Sequence, residues 1–233
     1  MKKNHFIDNN GVTIHCIEHN SENGGIPILL IPGATNSAEE LEEDLANSLL
    51  HYHIIVSLRG RGKSDSPQSG YLIDDHASDV IAVIEHFNIE GFYLFGHSVG
   101  ASVCIRVAVS QPSKIKGLIL GDFPPFFPPF DKSWADSVLR NPKASISKTA
   151  LYGLAKEGRY IDLSKDFQHI SCPIMLIRGG QKDSAFPEEQ VAPFQKIAPT
   201  CQVETLPNSG HDIFKPNPIE FVEKVIAFIS NSK

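Results

Sequence analysis

Short apolar runs alternate with segments of helical period along almost the whole chain, and that alternation limits the fold more than any other feature. Residues 26–31, 53–58, 91–95, 116–120, 174–177 and 202–206 read as strands. The first is apolar throughout, as a strand covered on both faces must be. Residues 38–50 place Leu41, Leu45, Leu49 and Leu50 on one side of a helix. Residues 74–87 do the same with Val80, Ile81, Ile84 and Phe87, and 188–197 and 219–229 continue the pattern. A helix between two strands brings the second strand back parallel to the first. Nearer the start, 4–7 and the alternating run 12–18 flank Asn9-Asn10-Gly11, a turn signal for an antiparallel hairpin. The expected fold class is α/β, with a mostly parallel central sheet of eight strands flanked by helices. In such sheets ligands bind beyond the carboxyl ends of the strands.

Bulk properties narrow the partners. The 233 residues suffice for one large core. A net charge of −6 with no basic block argues against nucleic acid. No apolar stretch has the length of a bilayer span, so no membrane partner is expected. The opening Met1-Lys2-Lys3-Asn4-His5-Phe6 is not followed by the apolar run of a secretion signal. Cys16, Cys104, Cys172 and Cys201 are far apart with no C-x-x-C pair, which reads as reduced structural thiols in a cytoplasmic protein. His51 and His53 lack a third ligand at suitable spacing, so neither metal nor other cofactor is expected.

One stretch breaks the alternation. Residues 123–167 separate two strands and are too long for a simple crossover. They open with Phe123-Pro124-Pro125-Phe126-Phe127-Pro128-Pro129-Phe130 and carry Trp134, Leu139, Ile146, Leu151, Tyr152 and Leu154 at loosely helical spacing. The expectation is a small lid, 123–167, inserted into a core made of 1–122 and 168–233. Phe123, Phe126, Phe127 and Trp134 are its candidate pocket residues. The competing reading is a helical crossover whose aromatics only fill core.

Gly96-His97-Ser98-Val99-Gly100 joins the strand 91–95 to the helical run 101–110. This is the G-x-S-x-G pattern in the strand–turn–helix setting that it requires. A serine on so sharp a turn leaves no room for side chains two residues to either side. The helix that follows points free N–H groups and its positive dipole end at whatever lies over Ser98. A serine nucleophile needs a base, and the base needs an acid to orient it. His211, in Pro207-Asn208-Ser209-Gly210-His211-Asp212 after the last strand, is the candidate base. Two acids compete. Asp183 follows the strand 174–177 and is preferred because one connection separates it from the histidine loop. Asp122 follows 116–120 and is the alternative, with a bland reading as an anchor for the lid entry.

An oxyanion site needs two N–H donors. Val99 offers one, and Ala34, in Pro32-Gly33-Ala34-Thr35-Asn36-Ser37, is the second candidate. Ser37 and Glu40 have the spacing of a capping box for the helix that follows. The basic loop Arg59-Gly60-Arg61-Gly62-Lys63-Ser64 lacks the spacing of a phosphate-binding loop and reads as structural.

Taken together, Pro32-Gly33-Ala34, Arg59-Gly60-Arg61-Gly62-Lys63-Ser64, Gly96-His97-Ser98-Val99-Gly100, Asp183 and Gly210-His211 resemble the α/β-hydrolase superfamily over essentially the full length. The resemblance implies a serine hydrolase working through an acyl-enzyme, and it favours Asp183, because the family's acid usually follows that strand. Two departures stand out. Relatives commonly carry His-Gly where this chain has Pro32-Gly33, and that histidine usually braces the oxyanion loop. They often carry Asp where this chain has Ser57. The aromatic lid points to a small-molecule ester or lactone with an apolar portion. The same residues also serve C–C bond hydrolysis or lyase chemistry in relatives, with basic pocket groups for which Lys132, Arg140, Lys143 and Arg159 would be available. A non-catalytic ligand-sensing receptor of the same fold is the remaining alternative.

Overall fold

A computed structural model describes residues 1–45 and 48–232. Ten strands and seven α-helices are assigned among them: β1 Lys2–Asn9, β2 Val12–His19, β3 Ile28–Ile31, α1 Ala38–Leu45, β4 His53–Val56, α2 Ile73–His86, β5 Phe92–His97, α3 Val99–Ser110, β6 Ile115–Gly121, β7 Phe126–Phe127, α4 Lys132–Leu139, α5 Lys148–Glu157, β8 Ile161–Asp162, β9 Ile174–Gly179, α6 Val191–Ile197, β10 Gln202–Leu206 and α7 Pro218–Asn231.

Eight strands form one sheet in the order β1-β2-β4-β3-β5-β6-β9-β10. The β1–β2 hairpin is antiparallel and so is the β2–β4 pair, whereas every pairing from β4 to β10 is parallel. The continuous apolar runs divide residue by residue between the two faces, as the twofold period of a strand requires. Leu29, Ile31, Leu94, Leu118 and Leu176 pack with α2 and α3. Their neighbours Ile28, Leu30, Phe95, Ile119 and Ile177 pack with α1 and α7. Each such side chain, fully buried, contributes roughly 1.5–3 kcal/mol, which fixes strand register and therefore the position of every strand end.

The expected elements differ from the observed ones at their ends. The strand at 91–95 continues to His97 and runs directly into the turn at Ser98. The expected helix 38–50 is helical over Ala38–Leu45; residues 46 and 47 lie outside the described residues. The expected helix 188–197 begins as a 3-10 turn, Glu188–Gln190, before α6. Pro193, which has no N–H to donate, sits in the first turn of α6, where none is needed.

Residues 123–167 hold the two-stranded β7–β8 ribbon, α4 and α5, and end within a 3-10 turn at Ser164–His169. Phe127, Phe130, Ala150, Leu151, Leu154 and Phe167 share one apolar cluster with α2 and α3. The stretch is thus packed onto the helix layer and continuous with the core. All four cysteines are free thiols. No helix among the described residues is long and apolar enough to cross a membrane.

Candidate active site

The turn at Ser98 has the strained geometry that its two glycines imply. Ser98 adopts φ 54°, ψ −132°, outside the regions open to most L-residues. A Cβ on Gly96 would collide with the backbone of Gly100, and one on Gly100 would collide with the carbonyls of Ile31 and Pro32. The Ser98 N–H donates to the Gly121 carbonyl at 2.8 Å, so the end of β6 holds the tip of the turn. The Ser98 hydroxyl is left pointing into an open cleft.

His211 reaches that hydroxyl. Its Nε2 lies 3.0 Å from Ser98 Oγ, and its Nδ1 lies 2.8 Å from Asp122 Oδ2. A carboxylate only accepts, so Nδ1 carries the proton and Nε2 is free to accept from the hydroxyl. The histidine loop is steadied by His97, whose Nε2 donates to the His211 carbonyl at 2.8 Å. Burial pushes His97 down to about 4, so near neutral pH it is an uncharged donor.

The preference for Asp183 as the partner of His211 is corrected here. Asp122 is fully buried and sits at positive φ, 48°, just beyond β6. Its Oδ1 accepts from Gly179 N–H (2.9 Å) and Ser184 Oγ (2.6 Å), and its Oδ2 from Ala185 N–H (2.8 Å) and His211. Asp183 is exposed and lies on the outer side of the histidine loop, against Gly210. The cause is sheet order. β6 is the direct neighbour of β5, and β9 is one strand farther out. The loop that carries Asp183 supplies the Ser184 and Ala185 donors to Asp122 in place of an acid.

The candidate oxyanion donors are Ala34 and Val99. Both line the cleft beside Ser98. A Cβ on Gly33 would sit 3.3 Å from Ser98 Cβ, so the 33–34 backbone passes directly by the serine. Among the described residues neither the Ala34 nor the Val99 N–H donates a hydrogen bond. Half of the predicted capping box is present, as Ser37 N–H donates to Glu40 Oε2 at 2.7 Å. Ser57 Oγ takes the first N–H of α1, Ala38, at 2.8 Å. The serine that replaces the family's aspartate therefore caps this helix.

The cleft above Ser98 encloses about 760 Å³, within the usual range for a small-molecule site. Of the four predicted pocket aromatics, Phe123, Phe126 and Trp134 line it. Phe127 does not, which is a second correction: it is 1% exposed and packs into the core against Phe130 and His76. Phe126 and Phe127 are adjacent on β7, so they face opposite ways. Sequence reasoning missed Asn36, Phe130, Asp131 and Asp212 in the lining. Asp131 was recoverable as an N-cap preceding Trp134, whose N–H it accepts at 2.7 Å; that bond holds its carboxyl below the usual range. No Lys or Arg lines the cleft. Lys132, Arg140, Lys143 and Arg159 are all exposed and outside it. No group of His, Cys, Asp or Glu among the described residues is arranged to hold a metal ion.

Residues 28–225 match the family model described as alpha/beta hydrolase family. The chain belongs to that family. Hydrolysis is the chemistry that membership and relatives support. The chain is 24% identical to N-formylmaleamate deformylase of Pseudomonas putida, over 89% of each chain. In fold it is similar to the solved structure of E-2-(acetamidomethylene)succinate hydrolase (TM-score 0.79, 20% identity, 99% of this chain and 100% of that one). It is also similar in fold to an esterase from a Rhodococcus species (TM-score 0.82, 20% identity, 100% of this chain and 99% of that one).

Proposed function

We propose that this alpha/beta hydrolase cleaves small hydrophobic carboxylic esters or lactones through an acyl-enzyme on Ser98. The observation that carries the reading is the unbroken line from buried Asp122 through His211 to a cleft-facing Ser98, at 2.8 and 3.0 Å. Ser98 Oγ attacks the carbonyl carbon while its proton passes to His211 Nε2. Asp122 keeps the imidazole in the right tautomer and stabilises its charged form. The Ala34 and Val99 N–H groups take the charge that develops on the carbonyl oxygen. His211 then returns the proton to the leaving alkoxide, the C–O bond breaks, and the acyl group stays on Ser98. A water, activated by His211 in the same way, releases the acid.

The lining points to the substrate. Phe123, Phe126, Phe130 and Trp134, with Pro128 and Pro129, form an apolar wall, Asp131 and Asp212 are its formal charges, and no Lys or Arg is present to pair with a carboxylate. Two of the relatives named above are described by maleamate and succinate compounds, which carry carboxylates. The cleft here supports neutral substrates instead. Residues 123–167, which supply the aromatic wall, act in this reading as the lid that selects the apolar portion. No cofactor is required by any step.

The test is an ester and lactone panel of varied acyl length, run with wild type and Ser98→Ala. Wild type should turn over short p-nitrophenyl esters and a fluorophosphonate should label it once, at Ser98. Ser98→Ala should lose at least ~10⁴-fold in kcat. A p-nitrophenyl hemisuccinate should be a poorer substrate than the butyrate. Full esterase activity in Ser98→Ala would overturn the mechanism. Turnover of a β-diketone with inactivity toward esters would reassign the bond cleaved.

A further inference from the structure

The oxyanion loop of this chain lacks the histidine that usually braces it, with Pro32 in its place. We infer that Arg61 does the bracing and is a positioning residue for the oxyanion site; the inference rests on the serine-hydrolase reading above.

Arg61 is 2% exposed, and its guanidinium bonds only to carbonyls. Nε donates to the Ala34 carbonyl at 2.9 Å and Nη1 to the Arg59 carbonyl at 2.7 Å. Among the described residues no carboxylate pairs with it. Arg59, two residues earlier, is different: it forks onto buried Asp79, with Nη2 to Oδ1 at 2.7 Å and Nε to Oδ2 at 2.9 Å. Arg59 fastens α2 to the loop after β4. Arg61 fastens that loop to the backbone beside Ser98. Burial pulls the Arg61 guanidinium down to about 10, still charged near neutrality. A buried cation without a counter-charge is costly to fold around. What this one obtains is a charge-assisted bond to a single peptide of the oxyanion loop.

The surrounding backbone completes the device. Three successive carbonyls of the loop are tied back. Gly33 O accepts from Asn36 N–H at 3.3 Å, Ala34 O from Arg61, and Thr35 O from Ser145 N–H at 2.9 Å. With these carbonyls tied back, the Ala34 N–H has no acceptor among the described residues, in a cleft that Ala34 lines together with Ser98. The other side of Arg61 is fixed as well. Its backbone bridges Ile146, with Gly62 N–H to Ser145 O and Ser147 N–H to Gly60 O, both at 2.8 Å. Gly60 and Gly62 flank it at φ 80° and 52°, and a Cβ on Gly62 would sit 2.7 Å from Ser37 Cβ. Arg61 therefore joins the 123–167 insertion to the oxyanion loop through one rigid side chain. Lysine, a single point donor, cannot span both carbonyls as the planar fork does.

The experiment compares wild type, Arg61→Met and Arg61→Lys on a p-nitrophenyl ester, with circular dichroism and Tm as fold controls. A boronic acid inhibitor, which forms a tetrahedral adduct on the serine, is titrated in parallel. Arg61→Met should lose about 10- to 100-fold in kcat with KM within about 2-fold. Boronate affinity should fall with kcat, and Arg61→Lys should recover only part of both. If Arg61→Met does not fold, Arg61→Lys decides, with about a 5-fold loss in kcat at unchanged KM expected. A folded Arg61→Met with wild-type kcat overturns the inference, as does a loss carried by KM alone. So does an Arg61→Lys that matches wild type when Arg61→Met fails to fold. Failure of the serine-hydrolase reading would look different, because wild type itself would then be inert to the ester and to fluorophosphonate.

Discussion

The loops leaving β6 and β9 each carry an aspartate near a strand end, yet they treat it in opposite ways. Asp122 is fully buried, at positive φ, and accepts four hydrogen bonds. Asp183 is exposed, the fourth residue of a loop that folds back over Asp122. Their chain positions relative to His211 favour Asp183, and their places in the sheet favour Asp122. A parallel sheet with crossovers separates order along the chain from order in space. The acid that meets the histidine is the one on the strand beside the nucleophile's.

The sharpest way to break this comparison is Asp122→Asn. It keeps the shape but reverses the donor pattern toward His211, and kcat for ester hydrolysis should fall ~10⁴-fold with the fold retained. Ser184→Ala removes the 2.6 Å donor that the Asp183 loop gives to Asp122. Steady-state kinetics should show about a 10-fold fall in kcat/KM, the size expected for one hydrogen bond to a charged group. Asp183→Asn should stay within about 2-fold of wild type, as surface substitutions usually do. If the first and last of these exchanged places, Asp183 would be the acid in solution and the assignment would have to be reversed.

Much of the architecture was legible because it rests on local signals. Uninterrupted apolar runs mark two-faced strands, and the collisions at Gly96 and Gly100 make the G-x-S-x-G turn readable from five letters. The placing of Ser98, His211, Ala34 and Val99 was legible for the same reason, since Ala34 follows β3, Ser98 and Val99 follow β5, and His211 follows β10. What escaped depends on pairings that no single segment encodes. Asp122 could be ranked only by knowing that β6 lies beside β5. Phe127 reads as a pocket residue in the sequence because a Phe-Phe dipeptide does not say which ring faces in. The loop around Arg61 reads as structural, but only the fold reveals that the partners of Arg61 are carbonyls 27 and 2 residues away.

The Ser98 N–H bonds to Gly121 O, the Asp122 N–H to Ile177 O and the Gly180 N–H to Leu206 O. Each bond is one more rung on a parallel ladder, the pairings β5–β6, β6–β9 and β9–β10 carried one step past the strand ends. Ser98, Asp122 and the foot of the histidine loop are thereby set at fixed spacing by the same network that holds the sheet together. Opening any of the three loops at its root therefore breaks a rung of the sheet as well, and the candidate site shares in the sheet's stability at those points.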